Sequence, residues 1–155
     1  MRIGHGYDVH RFGDGDHIII GGVHINHKRG LIAHSDGDFL LHALCDALLG
    51  AAALGDIGKH FPDVDPQYKD ISSIKLLSKT CHFLAEKGFR IVNLDSTIFA
   101  EAPKIGPFRQ EMQTRLAKTM NIKPDQVNVK ATTTEGLGVI GKGEGIGALC
   151  IALIE

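Results

Sequence analysis

Asp8 and His10 stand two residues apart in RIGHGYDVH, a stretch that reads as a β-strand. Side chains at i and i+2 of a strand share a face, so a carboxylate oxygen and an imidazole nitrogen can reach one ion. That donor pair suits zinc or a similar divalent metal. His42, on a helix read over residues 36–53, is the candidate third ligand. Three protein ligands with an open fourth position form the pattern of a catalytic zinc. Asp46, one turn beyond His42, is placed to orient that imidazole from behind. A lone DxH pair is more often two unrelated polar residues, so its meaning depends on its company.

Three other segments could carry chemistry. His34-Ser35-Asp36-Gly37-Asp38 precedes the helix. Free N–H groups at a helix start, beside an imidazole and a hydroxyl, make a phosphate seat. The plainer reading is an N-cap at Ser35 or Asp36 with Asp38 favoured by the helix dipole. Asp56-Ile57-Gly58-Lys59-His60-Phe61-Pro62-Asp63 reads as a loop that could hold a polyol or close as a lid. Lys130-Ala131-Thr132-Thr133-Thr134-Glu135 ends a strand with a cation, three hydroxyls and a carboxylate, a set suited to phosphates and magnesium. Gly136, Gly138 and Gly141 spell GxGxxG, but a dinucleotide fingerprint must open a helix and be followed by an acid ~20 residues on. Here Gly143, Gly145, Gly147 and a strand follow, so no dinucleotide is expected.

The elements that must position these groups follow from periodicity. Strands are read over 2–11, 89–100, 126–133 and 148–154, with a hairpin over 17–25 turned by Gly21-Gly22. Helices are read over 36–53, over 72–87 with Ser72 or Ser73 as cap, and over 107–120 with Asn121 closing the C-terminus. Residues 56–71 and the glycine-rich 136–147 read as loops. The last strand, ALCIALI, is apolar on both faces, which in a small chain points to a second subunit as one of its covers. The fold class is α+β, a mixed β-sheet with helices packed on one face.

Composition narrows the partners. The 155 residues suit one domain spanning the chain. Seventeen Lys+Arg against 18 Asp+Glu give a net charge of -1, which offers no electrostatic footprint for nucleic acid or an anionic membrane. The uncharged apolar stretch between Asp46 and Asp56 falls short of the ~20 residues a spanning helix needs. Cys45, Cys81 and Cys150 form no CxxC pair, so a reduced, cytoplasmic setting is expected. Eight of nine histidines lie in the first 60 residues, a clustering that the metal and phosphate readings begin to explain.

Taken in order, RIGHGYDVH (2–10), IIIGGV (18–23), HSDGD (34–38), His42 with DALLGAAALGDIG (46–58), HFPD (60–63), EAPKI (101–105), VNVKATTTE (127–135) and GEGI (143–146) resemble the 2-C-methyl-D-erythritol 2,4-cyclodiphosphate synthase family nearly end to end. The resemblance implies a homotrimer with active sites between neighbouring subunits. It implies zinc on Asp8, His10 and His42, and a second metal, magnesium or manganese, on Glu135. Substrate contacts fall on Asp8, His10, His34 and Ser35, and on a loop contributing Asp56, Ile57, Gly58, Phe61, Pro62, Asp63, Val64 and Asp65. A cytidine pocket falls on Ala100, Glu101, Ala102, Pro103, Lys104, Ile105 and Gly106, with Thr132, Thr133, Thr134 and Glu135 beside the phosphates. His34 and Thr133 take the place of transition-state stabilisers. Val139 and Lys142 stand where bacterial members carry an aromatic residue and an arginine lining a cavity on the trimer axis. Lysine keeps the charge there without the bidentate fork.

The implied reaction is cyclisation of a cytidine diphosphate-linked substrate with loss of CMP. Because the substrate is highly anionic and the chain nearly neutral, Lys104, Lys130, Lys142, metals and backbone N–H groups are expected to meet its charge locally. Two other readings fit parts of the pattern. Asp8, His10 and His42 alone would permit a zinc-dependent phosphoesterase. A non-enzymatic metal-binding module would need only those ligands and the apolar last strand.

Overall fold

The chain opens on β1 (Arg2–Gly13), two residues longer than its periodicity suggested. A hairpin follows, β2 (His17–Ile20) and β3 (Val23–Asn26), turned as expected by Gly21 and Gly22, both at positive φ. The short β4 (Gly30–Leu31) returns to pair with the end of β1. The structure is a computed structural model and describes residues 1–62 and 64–155. The substrate-loop expectation for Asp63 lies outside the described residues.

Helix α1 (Phe39–Ala51) starts later than read, because Asp38 is its cap and neither Ser35 nor Asp36 is. Asp38 accepts the N–H of Leu41, whereas the Asp36 carboxylate is committed to Ser73 and the Ser35 hydroxyl lies against His42. The segment read as an open loop over 56–71 holds one helical turn, α2 (Ile57–His60), and a 3-10 turn at Pro66–Tyr68. Then come α3 (Ser73–Glu86), β5 (Ile91–Phe99) and α4 (Arg109–Met120), the last closed by Asn121 in the left-handed region as its sequence suggested. After β6 (Val127–Thr132), the glycine-rich segment includes one helical turn, α5 (Gly138–Gly141), where only loop was expected. Strand β7 (Gly145–Ile154) begins three residues before the apolar run. Its first glycines fit there because a Cβ on Gly145 or Gly147 would lie 2.7 or 2.9 Å from the backbone oxygen of His10 or Asp8.

The main sheet runs β4-β1-β7-β5-β6, antiparallel except for the parallel β5–β6 pair. Helix α1 packs on β1 and β7, α4 on β6, and α3 against both helices. The covered face is apolar: Ile146, Ala148, Cys150, Ala152 and Ile154 of β7 are all fully buried, beside Leu94, Ile98, Val127 and Val129. The α+β reading with helices on one face therefore holds. The opposite face is open, with Ile3 71%, Tyr7 55% and Ile151 40% exposed.

Candidate active site

The face of β1 turned to α1 reads Gly4, Gly6, Asp8, His10. The two glycines let the helix backbone sit directly on the strand: a Cβ at Gly4 would lie 2.1 Å from the Ala47 carbonyl oxygen, and one at Gly6 would lie 2.0 Å from that of Ala43. As β1 proceeds it meets earlier residues of α1, so Asp8 and His10 arrive beside the first turns of the helix, where His42 is. His42 Nδ1 lies 3.0 Å from Asp8 Oδ2, and His10 Nδ1 lies 3.2 Å from the same oxygen. The two imidazoles are 5.3 Å apart, and one donor atom from each of the three residues falls within 4.8 Å of the others.

The His10 contact is not a hydrogen bond, so a buried ring nitrogen is left without a hydrogen-bond partner among the described residues. A carboxylate and two imidazoles aimed at one point are the donor set of zinc or a similar divalent ion. The orphaned His10 Nδ1 is the atom such an ion would satisfy. Burial tends to raise the Asp8 carboxyl, but the His10 and His42 rings outweigh it and hold the group well below the usual carboxylate range. Burial tends to lower His42, and the Asp8 carboxylate outweighs that, so its pKa is raised.

These groups line a cleft of about 260 Å³ together with His34, Ser35, Ile57, Gly58 and Phe61. His34 is exposed at its mouth, and Ser35 Oγ lies 3.0 Å from His42 Nε2. The segment expected to hold substrate is anchored at its ends. Asp56 caps α2 by accepting the Lys59 N–H, Asp65 accepts the Gln67 N–H, and the Phe61 ring is buried against Tyr68 and Phe83. Pro62 is half-buried and Val64 exposed. His60, which the sequence left without a catalytic task, sits 3.0 Å from the Leu54 carbonyl and packs on Phe83.

Asp46 does not orient His42. It lines the cleft but accepts the Ile57 N–H at 2.7 Å, offered by the chain returning after α1. The group behind His42 is instead Ser73, whose Oγ lies 2.9 Å from Nε2. Nothing local in the sequence marks Ser73 for this, since it lies 31 residues away on another helix.

A second cluster forms where the parallel strands β5 and β6 end together. Ala100 N–H donates to the Thr132 carbonyl, which sets residues 100–106 beside 132–135. Glu101 accepts from the N–H and hydroxyl of Thr134, and Thr133 donates to Glu135 at 2.8 Å. Ile105 turns its side chain into the core, while Glu101, Ala102, Lys104 and Gly106 are exposed and Pro103 is partly so. Lys130 is paired with Asp95 on the open face of the sheet, so that cation is already committed. Val139 and Lys142 are exposed on and just after α5.

The two clusters do not meet within one chain. Asp8 pairs with Ala148, Ala148 with Ile98, and Ile98 with Ala131. Three strand spacings of ~4.8 Å put the start of the threonine run ~14 Å across the sheet from the histidines.

A model of the YgbB family matches residues 1–155. The 2-C-methyl-D-erythritol 2,4-cyclodiphosphate synthase of Desulfatibacillum aliphaticivorans is 61% identical over 155 residues, covering all of both chains. That of Pseudomonas aeruginosa strain UCBPP-PA14 is 60% identical over 154 residues, covering 99% of this chain and 98% of the other. Among solved structures, the bifunctional IspDF from Campylobacter jejuni superposes with a TM-score of 0.95 at 44% identity over 99% of this chain, which spans 42% of that longer one. A 2C-methyl-D-erythritol-2,4-cyclodiphosphate synthase in a CDP-bound form gives 0.91 at 34% identity, over 99% and 100% of the two chains.

Proposed function

Because this chain belongs to the YgbB family, we propose that it converts 4-diphosphocytidyl-2-C-methyl-D-erythritol 2-phosphate to 2-C-methyl-D-erythritol 2,4-cyclodiphosphate and CMP. An oxygen of the 2-phosphate attacks the β-phosphorus of the same molecule. The bond from that phosphorus to the bridging oxygen breaks, and its electron pair leaves with CMP. The nucleophile is already an anion, so no general base is needed. The chain must fold the substrate back on itself, and holding two tethered groups in near-attack geometry contributes roughly 7–11 kcal/mol.

The observation that carries this reading is the convergence of Asp8, His10 and His42 beside His34 and Ser35 in one cleft. It occurs in a chain whose relatives of that name align over its whole length. Asp8, His10 and His42 would hold a divalent metal, zinc by donor type, which when bound supplies Lewis-acid neutralisation of the diphosphate oxygens. Glu135 offers the oxygen donor that magnesium or manganese prefers. His34 and Ser35 receive phosphate oxygens, and Thr133 donates to the group in transfer. Ile57, Gly58 and Phe61, with residues 62–65, border the sugar. Residues 100–106 receive the cytidine, with Thr132 and Thr134 beside its phosphates.

The working unit is a homotrimer in this reading, with one chain's threonine cluster completing its neighbour's histidine cleft. Two observations support it: the ~14 Å between the clusters in a single chain, and the open apolar face of β1 and β7. A cytoplasmic setting fits the three free cysteines, and no helix among the described residues is long and apolar enough to cross a membrane. The whole chain forms one synthase domain.

Phosphorus NMR of the cytidine substrate with magnesium and enzyme tests the reaction. A cyclic diphosphate plus CMP is expected. An acyclic phosphate would instead identify a zinc phosphoesterase, and no turnover a metal-binding module.

A further inference from the structure

His42 turns Nδ1 toward Asp8 and Nε2 toward two hydroxyls, Ser35 Oγ at 3.0 Å and Ser73 Oγ at 2.9 Å. The two hydroxyls are not equivalent. Ser73 is fully buried at the first turn of α3. Its Oγ donates to Asp36 Oδ1 at 2.5 Å, and its backbone N–H donates to Oδ2 of the same carboxylate at 2.9 Å. A hydroxyl has one hydrogen to give. With that hydrogen on Asp36, Ser73 Oγ can only accept from His42. Nε2 must then carry the ring hydrogen, and in the neutral imidazole Nδ1 is left as a bare lone pair. Ser35 imposes no such choice: its Oγ accepts the Gly37 N–H at 3.3 Å, and its own hydrogen is free to turn either way.

We propose that Ser73 and Asp36 are positioning residues that fix the tautomer and ring orientation of His42, so that Nδ1 is committed to a metal. The inference rests on the reading that Asp8, His10 and His42 hold that metal. A ligating imidazole commonly gives its other N–H to a carboxylate or carbonyl. Here the carboxylate acts through a hydroxyl on a different helix. Asp36 is itself held, since its N–H donates to the Ile71 carbonyl at 3.1 Å and its carboxylate accepts the Asp38 N–H at 3.3 Å. At the same helix start the cap residue Ser72 makes no side-chain cap bond; the Lys75 N–H donates to its backbone carbonyl at 2.9 Å, and the Ser73 N–H is held by Asp36. One chain of hydrogen bonds thus joins the phosphate-side loop at 34–38, the start of α3 and a metal ligand on α1.

The test uses zinc alone. Zinc affinity is measured by competition with a chelator for the unmutated protein and for Ser73→Ala, and long-range nitrogen–proton NMR on the zinc-loaded proteins reads which His42 nitrogen bears hydrogen. Ser73→Ala removes the hydroxyl but keeps the backbone N–H on Asp36, so the helix start survives. The expected result is hydrogen on Nε2 in the unmutated protein, and zinc binding weakened about 10- to 100-fold in Ser73→Ala. Unchanged zinc affinity in Ser73→Ala overturns the proposal while leaving the metal site standing. Hydrogen on Nδ1 in the unmutated, zinc-loaded protein overturns it even should the variant not fold. Failure of the unmutated protein to take up zinc removes the metal site and this inference together.

Discussion

The Asp46 carboxylate accepts the Ile57 backbone N–H at 2.7 Å, so the middle of α1 grips the first residue of α2. A group on a largely buried helix thereby holds the segment that borders the cleft. Asp46→Ala removes the acceptor, and a bond of this kind is worth roughly 1 kcal/mol, or about fivefold in a local equilibrium. Amide exchange at Ile57 and its neighbours should quicken by about that factor, with KM raised more than kcat is lowered. Unaltered exchange at Ile57 would mean that the segment's other anchors, the Asp56 cap and the buried Phe61 ring, hold it without Asp46.

Asp38 supplies a pH signature of the fold. It is fully buried, and burial pushes its carboxyl up to about 7, against the pull of the Gly22, Gly21 and Leu41 N–H groups. The folded value lies above the unfolded 3.8, so the folded chain binds more protons between them. Its contribution is therefore complete below the unfolded value and is lost as pH rises through about 7. The change amounts to as much as about 4 kcal/mol. Denaturant midpoints of the unmutated chain and Asp38→Asn, compared from acid to neutral pH, should diverge with the unmutated chain losing ground. Parallel curves would contradict this.

Metal and proton compete at His42. Its pKa is raised because the Asp8 carboxylate outweighs burial. In the metal-free protein the Asp8–His42 pair stabilises fully below the unfolded histidine value of 6.5 and is lost as pH climbs through the raised one. Zinc needs the unprotonated nitrogen, so its affinity should move the opposite way and fall as pH drops. Calorimetric titrations in buffers of different ionisation enthalpy should reveal proton release on zinc binding near neutral pH. Buffer-independent heats would refute the competition.

How much of this was legible beforehand differs residue by residue. Asp8, His10 and His42 could be read because strand and helix periods alone say which side chains share a face. Asp46 was misread by the same logic: helical spacing puts it on the stripe of His42, but its partner came from chain folding back after the helix. The α1 cap failed similarly. Ser35, Asp36 and Asp38 are all good caps in isolation, and tertiary partners chose among them. The Ser73–Asp36 bonds span 37 positions, and no period connects them. Lys130 looked free for phosphate because its neighbour Asp95 lies on another strand. The early start of β7 hid behind glycines, whose lack of side chains weakens any strand pattern.

The open face of the sheet should matter only to assembly. Ile151 is 40% exposed on β7, away from the helices. Ile151→Glu should yield a monomer in equilibrium sedimentation with activity lost, while zinc is still bound by the intact cleft. If the unmutated chain sediments as the proposed trimer and the variant does so too with activity kept, β7 is removed from the interface.

Strand β1 against α1 should tolerate no added atom. Gly6→Ala would bring a methyl within 2.0 Å of the Ala43 carbonyl oxygen, so the helix must lift. A loss of about 3 kcal/mol in chemical denaturation is expected. Zinc affinity should fall with it, since the lift begins next to the ligands. A Gly6→Ala chain as stable as the original would show that the helix has slack.

That contact also sets a tolerance. Where two elements meet through side chains, their separation drifts as bulk is traded across the core. Between Gly6 and Ala43 there is no bulk to trade, because backbone rests on backbone. The span from Asp8 to His42 is therefore gauged by covalent geometry two residues before Asp8. Substitutions elsewhere in the core can accumulate without changing the width of the metal's seat.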